Sequence, residues 1–210
     1  MAGRFITFEG GEGCGKSTQI RLLAERLRAV GKDVELLREP GGTALAERIR
    51  ALVRETSDDP PNARAETLLF LSSRAQLVEN AIRPALAAGR WVLCDRFADS
   101  TFAYQGYGRG LDLAELKVLN AFATGGLAPD RTILLNVSPA TAAERMRVRE
   151  QATGTSADRM ESAGEEFHAR LNAGFRALAA AEPERFVAID ANGTVEEVSE
   201  RVWNLIRHML

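Results

Sequence analysis

The chain has 210 residues, 45% of them apolar, which is enough for one well-packed domain and short for two. Its net charge of -2 gives no overall basic field for nucleic acid or an anionic membrane, and no apolar run reaches the ~18 residues of a membrane span. Cys14 and Cys94 make no disulfide framework, and a strand-like run from residue 5 leaves no room for a signal peptide, so we expect a soluble cytoplasmic protein.

Strand-like and helical segments alternate along the chain. Near-continuous apolar runs predict strands at residues 5–9, 34–37, 91–95, 132–137 and 186–190. Helical patterns lie between them: a stripe of Ile20, Leu23, Leu27 and Val30, and then segments 44–54, 65–88, 113–123, 141–149, 165–181 and 195–208. This alternation predicts an α/β fold in a single domain, with a central five-stranded parallel sheet flanked by helices on both faces.

The first loop has the complete pattern G-x-x-x-x-G-K-[ST] between a predicted strand and a predicted helix. Its glycines let backbone N–H groups point at phosphate oxygens, and the helix that follows adds the positive end of its dipole. Lys16 would neutralise the β- and γ-phosphates, and the Ser17 hydroxyl would ligate Mg²⁺. A glycine-rich turn without a ligand is the alternative. The predicted ATP-binding residues of this P-loop are Gly10, Gly11, Glu12, Gly13, Cys14, Gly15, Lys16, Ser17 and Thr18.

Charged residues follow the ends of three predicted strands, where ligands bind in parallel α/β sheets. Arg38 and Arg96 are suited to grip a phosphate monoester, although each could instead pair with a neighbouring carboxylate. Asp95 ends the third strand, where an acid in P-loop enzymes orients Mg²⁺. Since the N-K-x-D element of a GTPase is absent from the sequence, these features favour a small phosphotransferase with an acceptor pocket.

Four segments together resemble the thymidylate kinases, the nucleoside-monophosphate kinases that convert dTMP to dTDP. They are "FEGGEGCGKST" (8–18), "REPGGT" (38–43), "LFLSSRAQ" (69–76) and "DRFADSTFAYQGYGRG" (95–110). The resemblance extends through "SADRME" (156–161) and "AIDANG" (188–193). It implies the P-loop fold with a short lid, ATP and dTMP as substrates, Mg²⁺ as cofactor, and a homodimer with candidate interface faces on helices 65–88 and 113–123.

The resemblance also implies roles on the acceptor side. Arg96 would contact the acceptor phosphate, Arg38 would lie near the phosphoryl path, and Glu9 would contact the sugar 3′-hydroxyl. Phe70 and Arg74 lie one helical turn apart, which from spacing alone fits core packing as well as a base site. By resemblance Phe70 stacks on thymine and Arg74 reaches a thymine carbonyl. The remaining candidates surround the base and sugar: Ser100, Thr101, Tyr104 and Gln105.

The P-loop lacks the arginine that some members of this family carry there, so we expect the catalytic cations in a lid at about 149–161. The candidates are Arg145, Arg147, Arg149 and Arg159, and an ordinary exposed connection is the alternative. We expect Arg159 to meet the γ-phosphate and Arg145 to pack on adenine. Two rival functions remain: a kinase for dUMP, CMP or a deoxynucleoside, and a non-enzymatic ATP-binding module.

Overall fold

The computed structural model of the chain describes residues 3–154, 159 and 163–210. Its centre is a parallel sheet in the order β2-β3-β1-β4-β5. The strands are β1 (Phe5–Glu9), β2 (Val34–Arg38), β3 (Trp91–Asp95), β4 (Arg131–Asn136) and β5 (Phe186–Asp190). Each strand lies within one residue of its predicted bounds, and the predicted fold class is confirmed.

The helices begin where the sequence supplies caps. The side chain of Thr43 accepts a hydrogen bond from the N–H of Ala46, and Thr194 forms a capping box with Glu197. The α-helices are α1 (Lys16–Ala29), α2 (Ala44–Arg54), α3 (Ala63–Leu77), α4 (Arg83–Ala87), α5 (Ala98–Thr101), α6 (Leu113–Thr124), α7 (Pro139–Thr153), α8 (Glu165–Ala181) and α9 (Val195–Ile206). Two segments are π-helical, Val78–Ile82 and Phe102–Gly108, and Arg207–Met209 is a 3₁₀ turn. In these described ranges no helix combines the length and apolar character needed to cross a bilayer.

The alternation of side chains along the strands gives the sheet two packed faces. Ile6 and Phe8 of β1 lie in a buried cluster with the apolar stripes of α1 and α9. Phe5, one residue away, faces the opposite side and packs with the π segment Val78–Ile82 and α4. A third cluster joins α8 to the π segment Phe102–Gly108. The sheet is therefore covered on both faces, as the apolar strand sequences predict.

The helix predicted at 65–88 is wider in its middle than a regular helix. It runs as α3, the π segment Val78–Ile82 and α4. Pro84 explains the change, because it has no N–H and its ring would meet the carbonyl of Asn80 in a regular α-helix. The hydrophobic period gives no sign of this wider turn.

A helical segment that the sequence pattern did not predict follows β3. It comprises α5 and the π segment Phe102–Gly108, within "DRFADSTFAYQGYGRG". Glycine, serine, threonine and aromatic residues have low helix propensity. Burial of Ala103 and Tyr104 against α8 supplies the stabilisation that local propensity lacks. This segment carries several of the candidate acceptor residues, so its conformation determines their arrangement.

Candidate active site

A cavity of about 600 Å³ lies at the carboxyl ends of β2 and β3, beside the P-loop that follows β1. Residues predicted for the donor and for the acceptor line this same cavity. Those that line it are Glu12, Gly13, Cys14, Gly15, Lys16, Ser17, Thr18, Arg38, Phe70, Arg74, Asp95, Arg96, Ser100, Thr101, Tyr104, Gln105 and Arg145. The sheet topology brings these distant sequence positions to one edge, as parallel α/β sheets do.

The P-loop wraps around the ammonium group of its own lysine. Lys16 Nζ donates to the carbonyl oxygens of Gly10 at 3.1 Å and Gly11 at 2.9 Å, and contacts Cys14 Sγ at 3.5 Å. Gly13 has φ 69°, and a Cβ there would lie 2.5 Å from the carbonyl oxygen of Ala142. Glycine is therefore required at this position by both backbone conformation and space. The binding of phosphate by this loop stays a prediction.

Ser17 and Asp95 approach each other at the floor of the cavity. The Ser17 hydroxyl donates to Asp95 Oδ2 at 2.7 Å. Such a hydroxyl and a single carboxylate, together with phosphate oxygens, are the ligands that Mg²⁺ uses in nucleotide sites. No cluster of three or more acidic, histidine or cysteine ligands is found in the described part of the chain, so a metal here would depend on the nucleotide for most of its ligands.

Arg96 is held against the P-loop by an acid within that loop. Its guanidinium pairs with Glu12, donates to the carbonyl oxygen of Gly10 at 3.2 Å, and lies 4.9 Å from the ring centroid of Tyr104. Tyr104 also donates its hydroxyl proton to Glu12 at 3.0 Å. Burial alone would raise the pKa of Glu12, but the charges of Arg96 and Lys16 outweigh it and lower the pKa to about 2. Glu12 is therefore an anion that keeps Arg96 in place.

The backbone of Arg96 is in the left-handed region, with φ 70°. This conformation is unusual for a residue with a Cβ, and it costs about 1–2 kcal/mol. The N–H of Arg96 donates to the carbonyl oxygen of Phe8 at 3.0 Å, which continues the sheet pairing past the end of β3. The turn thereby directs the guanidinium toward the P-loop.

Arg38 lines the same cavity from the end of β2 and is half-exposed. Its Nη2 donates to both carboxylate oxygens of Glu47 at 2.8 Å. The pairing with a carboxylate considered from the sequence is thus present, with Glu47 of α2 as the partner. Exposed ion pairs of this kind are weak, so a phosphate could replace the carboxylate at little cost.

Glu9 is completely buried and is absent from the described residues that line the cavity. Its Oε1 accepts from the N–H groups of Phe97 at 2.8 Å and Ser100 at 3.2 Å, and its Oε2 accepts from the Ser100 hydroxyl at 2.6 Å. Burial, together with the charge of Asp99, raises its pKa to about 7. In this structure Glu9 caps the N-terminal turn of α5, and its contact with a sugar hydroxyl stays a prediction.

Replacement of Glu9 by glutamine should alter the pH dependence of stability. The pKa of Glu9 is about 7 in the fold, against 4.5 for an ordinary glutamate, so the folded state holds a proton that the unfolded state releases. Wild type should therefore lose up to roughly 3 kcal/mol of unfolding free energy relative to Glu9→Gln between about pH 4.5 and 7. Denaturant unfolding at pH 5 and pH 8 measures this difference.

The matched control is Glu25→Gln in α1, where the glutamate is exposed and pairs with Arg21. This change should shift the unfolding free energy equally at the two pH values. An equal shift for Glu9→Gln would contradict the raised pKa.

The predicted base site is built on α3 and the helical segment after β3. Phe70 lines the cavity half-buried, and Arg74, four residues later, is buried. All five N–H groups of Arg74 have partners within the protein. Nε and Nη2 both donate to Glu39, and the other partners are Thr101, Asn120 and the carbonyl oxygen of Phe97. Any bond from Arg74 to a base would therefore have to replace one of these contacts. The opposing charge of Glu39 accounts for the burial of this guanidinium.

The donor side contains Arg145 of α7. Its Nη2 donates to the carbonyl oxygens of Ala191 at 2.9 Å and Gly193 at 3.1 Å, within the segment "AIDANG". Arg149 also lines the cavity. Arg147 is directed away from the cavity and pairs with Glu144 on the exposed face of α7. Of these three lid candidates, the cavity therefore includes Arg145 and Arg149.

Arg159 is not among the described residues that line the cavity, but it contacts Val53, which does line it. Its guanidinium donates to Glu66 Oε2 at 2.6 Å and to the carbonyl oxygen of Val53 at 3.2 Å. Residues 155–158 and 160–161 of the predicted lid lie outside the described residues. The expectation that Arg159 meets the γ-phosphate therefore stays a prediction.

The cavity also includes residues that sequence reasoning did not identify. Arg50 and Arg54 of α2 lie one turn apart on its wall, and their i, i+4 spacing just after "REPGG" was the available signal. Thr194, Val195 and Val198, at the start of α9, line the donor end. Only the fold brings α9 next to the P-loop, so no local pattern could have found them.

Comparison with known proteins agrees with this geometry. Residues 8–202 match the family model described as thymidylate kinase. The chain is 49% identical over 208 residues to a thymidylate kinase from Solidesulfovibrio magneticus, covering 98% of this chain and 100% of that protein. It is 49% identical over 210 residues to one from Rhizorhabdus wittichii, covering both fully. The crystal structure of a thymidylate kinase from Ehrlichia chaffeensis superimposes with a TM-score of 0.80 at 32% identity, covering 98% of this chain and 100% of that one.

Proposed function

Because the chain belongs to the thymidylate kinase family, we propose that it transfers the γ-phosphoryl group of ATP to the 5′-phosphate of dTMP, giving dTDP and ADP. The observation that carries this proposal is the shared cavity. The P-loop, Arg96, Phe70 and Thr101 all line this one cavity, and Arg96 contacts the P-loop. The whole chain, residues 1–210, acts as one domain that holds both substrates.

Catalysis rests on positioning and on charge. The oxygen of the acceptor phosphate is already a good nucleophile, so the reaction needs no strong general base. Lys16 exchanges its contacts with the Gly10 and Gly11 carbonyls for the β- and γ-phosphates. Arg96 holds the acceptor phosphate in line with the P-loop, and Arg38 releases Glu47 to neutralise charge near the transferred group.

The proposal includes Mg²⁺ as cofactor, held through Ser17 and Asp95. When bound with ATP, the ion would neutralise charge that develops on the phosphate oxygens. The hydrogen bond of 2.7 Å between the two side chains supports this assignment, because both oxygens already approach one point beside Lys16. Arg145 packs near adenine at the other end of the P-loop, and Tyr104 lies beside the acceptor sugar.

The function is tested with purified protein, ATP and Mg²⁺ in a coupled assay for ADP. The acceptors are dTMP, dUMP, CMP and thymidine, each at the same concentration. We expect dTMP to give the highest kcat/KM, with dTDP as product. A preference for CMP or thymidine would support one of the rival kinases. ATP binding without ADP release in the presence of dTMP would support a non-enzymatic nucleotide-binding module.

We also propose that the protein works in the cytoplasm, where ATP and dTMP are both present. We further propose that it forms a homodimer. An apolar surface on α6 supports the dimer, because Phe122 is 89% exposed and Val118 is 71% exposed. Leu68 of α3, which packs against α6, is also exposed. Contiguous exposed apolar side chains are typical of interfaces. Both helices were named as interface candidates from the sequence.

Replacement of Phe122 by aspartate should convert the dimer to a monomer. A charge placed in an apolar interface must lose its water on association, and that cost typically exceeds 2 kcal/mol. Sedimentation velocity measures the change. Replacing Glu166, an exposed glutamate of α8, with glutamine is the control and should leave the dimer intact. A wild-type protein that sediments as a monomer at micromolar concentration would contradict the dimer.

A further inference from the structure

A buried carboxylate lies behind the base end of the cavity and is unused by the mechanism above. Glu66 of α3 has no exposed surface and is not among the described residues that line the cavity. Its Oε1 accepts from Gln105 Nε2 at 2.9 Å, and its Oε2 accepts from Arg159 at 2.6 Å and Arg109 at 3.2 Å. Since the Gln105 amide and two guanidinium groups all donate to it, both Glu66 oxygens act as hydrogen-bond acceptors.

This restriction fixes the orientation of the Gln105 amide. An amide has a donor end and an acceptor end, and either could in principle face a ligand. Because Glu66 takes the NH₂ group, the carbonyl oxygen of Gln105 lies at the other end, and Gln105 lines the cavity. No donor among residues 3–154, 159 and 163–210 is found on that carbonyl oxygen. Gln105 therefore offers an acceptor to whatever occupies the base site.

The neighbouring hydroxyl of Thr101 is constrained in the opposite sense. Arg74 has only donors, so the Thr101 oxygen must accept from Arg74 Nη1, at 2.8 Å. The Thr101 hydroxyl proton is then available to donate. Thr101 and Gln105 are four residues apart and line the same cavity. Buried charged groups thus give the base site one donor and one acceptor, side by side.

This pair matches one class of pyrimidine edge. Thymine and uracil carry a carbonyl acceptor at position 4 beside an N3–H donor, which complement a hydroxyl donor and an amide acceptor. Cytosine carries an amino donor at position 4 beside an N3 acceptor, which is the reverse pattern. With cytosine in this site, the Thr101 donor would face the 4-amino donor and the Gln105 acceptor would face the N3 acceptor. Such mismatches between buried polar groups reduce binding strongly.

We propose that Glu66 is a positioning residue that fixes the hydrogen-bonding sense of Gln105 and thereby makes the site select 2,4-dioxopyrimidine nucleotides over cytosine nucleotides. This inference rests on the proposed kinase function. Glu66 acts without touching the substrate. A change at Glu66 should therefore alter the ratio of kcat/KM between a thymine and a cytosine nucleotide, and not only the overall activity.

The test is Glu66→Gln, assayed with dTMP and dCMP as acceptors. A glutamine at position 66 can donate as well as accept, so the Gln105 amide can rotate and present its NH₂ to cytosine N3. We expect the ratio of kcat/KM for dTMP to that for dCMP to fall at least tenfold. Glu66→Asp keeps an acceptor-only group and should hold the ratio within about threefold of wild type, even if overall activity falls. Glu166→Gln, which removes an exposed carboxylate, is the matched control.

Combining Glu66→Gln with a second substitution, Gln105→Leu, shows whether Glu66 acts through Gln105. In a Gln105→Leu protein the rotating amide is gone, so adding Glu66→Gln should leave the ratio unchanged. A ratio that falls equally with and without Gln105 would overturn the proposed route. A Glu66→Gln enzyme that keeps the wild-type ratio would overturn the inference, while dTMP turnover by wild type would still support the kinase function. Absence of dTMP turnover in wild type would instead count against the kinase function itself.

Wild-type protein supplies a measurement that does not depend on the variants folding. When ¹⁵N-labelled dTMP is bound to wild type, its N3 imino proton should be visible by NMR and should exchange at least tenfold more slowly than in free dTMP. An imino proton that exchanges at the rate of free dTMP would overturn the proposed contact with the Gln105 carbonyl.

Discussion

Replacement of Lys16 by alanine is expected to lower kcat at least about a hundredfold, while the KM for dTMP changes less than about threefold. Lys16 is the P-loop cation, and its ammonium group lies among the loop carbonyls at 2.9–3.1 Å. The negative charge of the transferred group spreads over its oxygens in the transition state, so the loss of this cation raises the barrier more than it weakens acceptor binding. Steady-state kinetics with each substrate varied in turn measures both effects.

The control for this prediction is Lys32→Ala. Lys32 is outside the cavity and lies 5.9 Å from the ring centroid of Trp91. It should leave kcat and both KM values close to wild type. If the Lys16→Ala enzyme kept a kcat near wild type, the assignment of the P-loop would be wrong. A change confined to the KM for dTMP would indicate that Lys16 binds the acceptor and not ATP.

Replacement of Arg96 by alanine should lower kcat/KM for dTMP about a thousandfold, mostly through a higher KM. The Arg96 guanidinium is preorganised by Glu12 and the Tyr104 ring. In the proposed mechanism its removal takes away the cation that binds the acceptor phosphate. The KM for ATP should change much less. Arg147→Ala, which breaks an exposed pair with Glu144, is the matched control and should have little effect.

Because the backbone of Arg96 is left-handed, alanine at this position is strained, and a second variant separates that strain from the loss of the guanidinium. Arg96→Gly removes the same guanidinium but tolerates φ 70° without strain. It should unfold at a temperature at least as high as that of Arg96→Ala, and its activity should be equally low. If either variant kept wild-type kcat/KM for dTMP, Arg96 would have no role in binding the acceptor phosphate.

The sheet and most helices could be predicted because their signals are local. The runs of apolar residues in the five strands and the stripe of α1 follow from burial and periodicity alone. The helical segment 98–108 could not be predicted from its pattern, since its residues favour other conformations and only packing against α8 makes it helical. The same applies to the walls contributed by α2 and α9, which depend on tertiary arrangement.

The candidate site was predictable in its residue types and less so in their partners. The P-loop, Asp95 and Arg96 follow from strand ends and motif spacing. Arg38 pairs with Glu47, and Arg96 pairs with Glu12. The positions of these residues along the chain do not predict either pair. Glu9 illustrates the limit most clearly. The resemblance implies a contact with the acceptor sugar, which stays a prediction, while its hydrogen bonds to Phe97 and Ser100 had no signal in the sequence.

The turn that Glu9 caps has a consequence for how the acceptor side can move. The N–H groups of Phe97 and Ser100 donate to a carboxylate on β1, the central strand of the sheet. Opening this turn would leave a carboxylate buried without donors, which is costly. These two amides should therefore exchange with solvent only when the sheet itself unfolds. Arg96, the arginine proposed to bind the acceptor phosphate, directly precedes Phe97 and donates its own N–H to Phe8 of β1. We therefore expect its backbone to open only together with the sheet.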